Sequence, residues 1–383
     1  MNLINCLICD TPVTEFCNLG DQYPANSLEK IDTYPLAAAY CRKCYHVQLT
    51  YCVSRELLFD NYTYISGVSQ RLRDYWKKLK YYILQHSQPC GHDILDIAAN
   101  DGSFLEEWDG WNCVGVEPCK RISDLCNNPK IRFENTYFPN HSINEKFDII
   151  TAFNVLGHVA NPIHFIKECS NLLKYSGSIW VLTSQADMVV TGQFDTIYHE
   201  HLSYFSAKSF QSLADQCGLK ILSISKSDIH GGSYLVQLGK CGSNYNPLIL
   251  NEASTGRYTT VPYKLFSKKK DLVVKNVQDF CTRHHTTIGL GASAKGSVVM
   301  QTAKISPTAI FDENPIKVGK SFPNGTPIVN KDGLPASKSH WGVIDFTWNF
   351  RDELWGKLQS HVNGNNIHGE ILDYFPNFSI EMF

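Results

Sequence analysis

The chain is short of the features that would take a protein to a membrane or a nucleic acid. Its 35 basic and 37 acidic residues leave a formal net charge of −2, so no field of one sign is available to gather polyanions or anionic lipid. No run approaches the roughly 20 apolar residues that cross a bilayer. The opening residues, Met1-Asn2-Leu3-Ile4-Asn5-Cys6, show no basic stretch followed by an apolar one. A secretory leader is therefore not expected, and the cytoplasm is the expected compartment. Solenoid repeats and low-complexity tracts are missing as well. With 383 residues, the chain exceeds one ordinary core, so two or three domains are expected. A monomer that binds neither nucleic acid nor membrane is the expectation.

Cysteine, by contrast, is plentiful at 14 residues. Without an export signal these thiols should be reduced, and some should hold metal. Cys6-x-x-Cys9 and Cys41-x-x-Cys44 form two knuckles separated by 31 residues. Two such knuckles bring four thiolates into the tetrahedron that Zn²⁺ prefers. A closed set of four leaves no open coordination position, so the zinc is expected to be structural. It would stabilise a module, residues 1–70, whose own core is small.

Beyond the module, Arg71–Ile83 places Leu72, Trp76, Leu79 and Ile83 on one helical face. Strand-like Asp93–Ala98, Cys113–Val116, Phe147–Phe153 and Ser178–Thr183 then alternate with helical stretches, among them 104–108 and 162–174. That alternation predicts an α/β doubly wound parallel sheet. Leu219–Ile224 and Tyr234–Leu238 read as a closing antiparallel pair. A second strand–loop–helix unit starts at Thr287 and predicts a smaller α/β domain. The expected division is 71–243 for the first α/β domain and 244–383 for the second.

In such sheets ligands sit at the carboxyl ends of the strands. There the chain has Asp96, Ala98, Asn100, Asp101 and Gly102, and Glu117 ends the next strand, able to accept both hydroxyls of a ribose. A dinucleotide site needs Gly-x-Gly-x-x-Gly for pyrophosphate to approach the backbone. This turn lacks the first two glycines and is acidic. S-adenosylmethionine carries a sulfonium and an ammonium and no phosphate, so it suits the turn better.

The densest chemistry lies in Gln193–Ser206, which holds two imidazoles, two carboxylates and two phenols. Histidine exchanges protons near neutral pH. Tyr198, His199, Glu200 and His201 are thus candidates for proton transfer. His199-x-His201 is also spaced for one face of a metal-binding strand. A hydrolase with zinc on His158, His199 and His201 therefore stays open at this point.

The residues then resemble a known family, the sugar C-methyltransferases that alkylate nucleotide-linked 4-keto-deoxysugars. The likeness rests on both knuckles, Tyr62-x-Tyr64-x-Ser66, Leu95–Gly102, Asn154-Val155-x-x-His158, Gln193–Ser206, His230-Gly231-Gly232-Ser233, Gly291-Ala292-x-Ala294-Lys295-Gly296 and Asp312-x-Asn314-Pro315-x-Lys317. It implies a Rossmann-like methyl-donor domain between a zinc module and a C-terminal Rossmann-like domain. Substrate would lie between the last two. It further implies His201 as the base, with Tyr198, Glu200 and His158 around it. Asn154 joins the donor site, and Tyr62, Tyr64, His199, His230 and Lys295 become substrate-binding candidates. The expected reaction is methylation of C3, beside the ketone, through an enolate. Transfer to oxygen or nitrogen is the alternative. Ala98 replaces the family's glycine, so its methyl group has to be accommodated beside the donor.

Overall fold

The structure is a computed structural model that describes every residue except Met1, 61–63, 185–186, 228, 230–231, 336–339 and 349–350. Three sheets organise the chain. Strands β1 (Val13–Gln22), β2 (Tyr34–Cys41) and β3 (Val47–Leu49) run antiparallel to one another. Helix α1 (Gln70–His86) follows, with Ser69 as its N-cap. Its buried residues are Leu72, Trp76, Leu79 and Ile83, the predicted face. They pack with Ile94, Trp180 and Leu182 of the second sheet.

That sheet holds β4 (Asp93–Ile97), β5 (Asn112–Val116), β6 (Ile131–Glu134), β7 (Phe147–Phe153) and β8 (Leu173–Ser184), all parallel. Helix α2 (Pro162–Leu172) bridges β7 and β8. Strand β9 (Ser203–Tyr204) then leaves this sheet and pairs with β3 of the first. Helix α3 (Ala207–Gln216) leads to β10 (Lys220–Ser227) and β11 (Ser233–Gly239), which close the second sheet as an antiparallel pair. The spatial order is β10-β11-β8-β7-β4-β5-β6. Strand order reverses between β4 and β7, and the crevice there is where a doubly wound sheet binds ligand.

Helix α4 (Val261–Arg283) reaches the third sheet. It contains β12 (Thr286–Leu290), β13 (Ala309–Phe311), β14 (Ile328–Val329), β15 (Trp341–Asp345), β16 (Gly369–Asp373) and β17 (Ser379–Met382). The order is β14-β13-β12-β15-β16-β17, parallel except at β17. Helix α5 (Ala294–Ala303) springs from β12 with Ser293 as N-cap.

The expected helix over 104–108 is one short turn, Leu105–Glu107. Asp109-Gly110 stops it, since Gly110 takes a left-handed φ of 83°. Among the described residues, no helix is long and apolar enough to cross a membrane.

Candidate active site

The four knuckle cysteines converge. Sγ atoms of Cys6 and Cys44 are 3.5 Å apart, Cys9 and Cys41 3.4 Å, and Cys9 and Cys44 3.6 Å. A tetrahedral zinc with bonds of about 2.3 Å sets its sulfurs roughly 3.8 Å apart, so the set fits that ion. Backbone N–H groups of Ile8 and Lys43 donate to Cys6 and Cys41 sulfur, which steadies thiolate charge. Among the described residues, no other group of three or more candidate ligands lies this close, and the histidine-bound zinc is not supported.

A cavity of about 810 Å³ is lined by strands β4, β5 and β7 of the second sheet and by loop segments that flank the first and third. Asp96, Ala98, Asn100 and Glu117 come from the carboxyl ends of β4 and β5. Glu117 is buried and accepts from the backbone N–H of Asn100 at 3.0 Å and of Cys119 at 2.9 Å. Burial nonetheless raises its pKa above the usual glutamate value. Burial also pushes Asp96 up to about 7, against the Thr151 hydroxyl that donates to it at 2.6 Å. Asn154 lines the same cavity with its buried Oδ1 lacking a partner among the described residues. Ala98, Asn100 and Asn154 all take left-handed φ values, 61°, 53° and 54°. Acidic, acceptor-rich walls of this kind fit a cationic nucleoside and would repel a diphosphate.

The proton-transfer groups are ordered by their hydrogen bonds. His201 Nδ1 lies 3.1 Å from the Thr196 carbonyl, which can only accept, so Nδ1 carries the proton. Nε2 therefore holds the lone pair and accepts from the Tyr198 hydroxyl at 2.7 Å. The His158 ring stacks between Phe59 and His201, with centroids 5.4 and 5.2 Å away. Desolvation lowers His158 to about 4, so it is neutral at pH 7. Tyr198, His201 and His158 all line the cavity.

Lys295 and Lys317 line it too, beside the turn into α5. Lys295 sits 3.7 Å above the Trp348 ring, and Lys317 donates to the Ala292 carbonyl at 2.7 Å. Desolvation brings Lys295 down to about 8, and the buried Asp195 carboxylate pulls it back up in part. Gly291 makes this turn possible. Its φ is 89°, and a Cβ there would stand 2.1 Å from the Thr347 methyl.

Several expectations need correction. His199 is buried outside the cavity lining, with Nε2 at 3.2 Å from the Tyr34 carbonyl. Its spacing from His201 suggested one strand face, but 198–201 is a turn closed by His201 N–H to the Tyr198 carbonyl at 2.9 Å. Glu200 is also off the lining; its carboxylate accepts from Asn26 at 2.9 Å, and the His201 ring is oriented by the Thr196 carbonyl. Asp101 accepts from Gly67 N–H at 2.8 Å and so pins residues 64–67 across the donor turn. Gly102 faces Cys126 and Phe133 behind that turn. Tyr64 lines the cavity, and its carbonyl accepts from Asn100 at 3.1 Å. Tyr62 and His230 lie outside the described residues. Asn26 and Lys317 were not among the candidates, although Lys317 stood inside a quoted motif.

Comparison with known proteins follows the same order along the chain. Family profiles match a zinc binding domain over residues 6–59, a methyltransferase domain over 64–224 and a C-methyltransferase C-terminal domain over 228–369. The C-methyltransferase NovU of Streptomyces niveus is 22% identical over 346 residues, which is 84% of this chain and 82% of that protein. The ubiquinone biosynthesis O-methyltransferase of Vibrio campbellii is 22% identical over 214 residues, 50% of this chain and 83% of that one. Among solved structures, the plantazolicin methyltransferase BpumL in complex with a desmethylPZN analogue and SAH matches with a TM-score of 0.34 and 17% identity. It covers 44% of this chain and 84% of that one.

Proposed function

For this chain, an S-adenosylmethionine-dependent C-methyltransferase with an N-terminal zinc module, we propose that the substrate is a nucleotide-linked 4-keto-6-deoxysugar, methylated at C3. One observation carries the reading: a single cavity joins an acidic donor wall, an oriented His201–Tyr198 pair and two lysines. Each suits one part of the pairing, namely a cationic nucleoside, an acidic C–H beside a ketone, and a diphosphate.

When bound, S-adenosylmethionine supplies an electrophilic methyl group on a positive sulfur. Glu117 is placed to accept the ribose hydroxyls, and Asp96 and Asn154 offer acceptors to the ammonium end. The Nε2 lone pair of His201 removes the proton from C3. The Thr196 carbonyl on Nδ1–H then stabilises the imidazolium. That lone pair is open to the proton once the Tyr198 hydroxyl has turned from Nε2 to the ketone oxygen. There the phenol donates where enolate charge develops, with neutral His158 as a second donor. Lys295 and Lys317 hold the diphosphate and fix the sugar relative to the base.

The test is a panel of 4-keto-6-deoxysugar nucleotides with ¹³C-methyl donor in D₂O, read by mass and carbon NMR. A new carbon–methyl bond at C3, and deuterium at C3 without donor, are expected. A methyl group on oxygen or nitrogen would refute the reading.

A further inference from the structure

The strand that follows the base by two residues belongs to the zinc module's sheet. Strand β9 has β3 as its ladder partner, with Val47 opposite Tyr204 and Gln48 opposite Ser203. Around it, Leu49 N–H donates to the Leu202 carbonyl at 3.0 Å, and His46 Nε2 meets Ser203 Oγ at 3.1 Å. The turn before it is held by the same module, through Tyr34 to His199 and Asn26 to Glu200.

On the other side of β3 lies the knuckle. Tyr45 N–H returns to the Cys41 carbonyl at 3.0 Å, and Cys41 N–H to the His46 carbonyl at 2.8 Å. The chain thus passes from Cys44 into β3 within three residues. From β9 the link to the base is one further step. The Tyr204 hydroxyl donates to the Thr196 carbonyl at 3.0 Å, and that carbonyl orients His201 Nδ1.

We infer that the zinc knuckle is a positioning device for His201. By fixing β3 it fixes β9, Tyr204 and the Thr196 carbonyl, so that metal loss uncouples proton abstraction from donor binding. The donor wall is built on β4 and β5 of another sheet, which touches the knuckle cysteines through shared apolar packing but has no backbone ladder with β3 or β9. The inference rests on His201 being the base.

Hydrogen exchange on the full chain, before and after zinc release with a thiol-blocking reagent and chelator, tests the physical link. Amides of 37–50 and 199–204 are expected to gain exchange together, by about tenfold or more, while 93–97 and 147–153 hold within roughly twofold. Equal protection of 199–204 with and without zinc, or loss at all four segments together, would overturn it. Ser203→Ala, which keeps the metal, supplies the second arm. Its kcat is expected to fall roughly 10- to 100-fold at unchanged donor Kd, with a displaced acid limb of the pH profile and recovery in Ser203→Thr. Unchanged kcat and pH profile would also overturn the inference. The exchange result does not depend on what His201 does. Proton exchange at C3 surviving His201→Asn would therefore sink the base assignment and leave the knuckle–loop coupling measured.

Discussion

At the scale of single residues, the chemistry is set by which partner each side chain has already taken. His201 donates its Nδ1–H to the Thr196 carbonyl, so Nε2 alone can work as a base. His201→Asn should lower turnover by about 10²–10⁴ while calorimetry shows donor binding intact. Two ionisations give pH dependence of opposite sign. Asp96 stands near 7, so it is anionic above that pH and neutral below. Affinity for the cationic donor should weaken as pH falls from 8 to 5.5, and Asp96→Asn should flatten that trend. Lys295 stands near 8, so it is charged below and neutral above. The KM for the sugar nucleotide should rise as pH passes 8, measured at saturating donor, and less so in Lys295→Arg.

At the scale of elements, the turns after β4 and β12 do the positioning. Ala98 holds a left-handed φ that costs an alanine about 1–2 kcal/mol, part of which glycine would forfeit as chain entropy. Ala98→Gly is therefore expected to raise stability by about 0.5–1 kcal/mol in urea melts. Gly291→Ala should do the reverse, because both φ and the Thr347 methyl oppose a Cβ.

Much of this layer was legible in the sequence. The apolar runs marked β4, β5, β7, β8 and the β10–β11 pair, and the stripe from Leu72 to Ile83 marked α1. The knuckles showed themselves through spacing, which a metal imposes on the chain. What stayed hidden has a common cause. A strand as short as β9 has no period, so its membership in the first sheet left no pattern. The His199-x-His201 spacing misled because a turn, unlike a strand, sends alternate residues different ways. Lys317 was concealed because its contribution depends on a loop folding back onto the turn before α5.

At the scale of the whole molecule, the three sheets share cores. Cys6, Cys41 and Cys44 pack with Phe205 and Phe210, while Leu36 and Val47 belong to a cluster with Phe266, Val298 and Phe346. Elemental analysis should find one zinc per chain, released only when thiols are blocked. A second zinc bound by histidine would contradict the metal assignment. The pairing of Val47 with Tyr204 also has a consequence for synthesis. Ser203 follows its partner His46 by 157 positions. At about 5–20 residues per second, the edge of β3 waits roughly eight to thirty seconds on the ribosome for the strand that covers it. A three-residue edge is too short to recruit a stray strand well in that interval. The brevity of β3 therefore protects the nascent chain, and the base takes its place only after the donor-binding strands have been made.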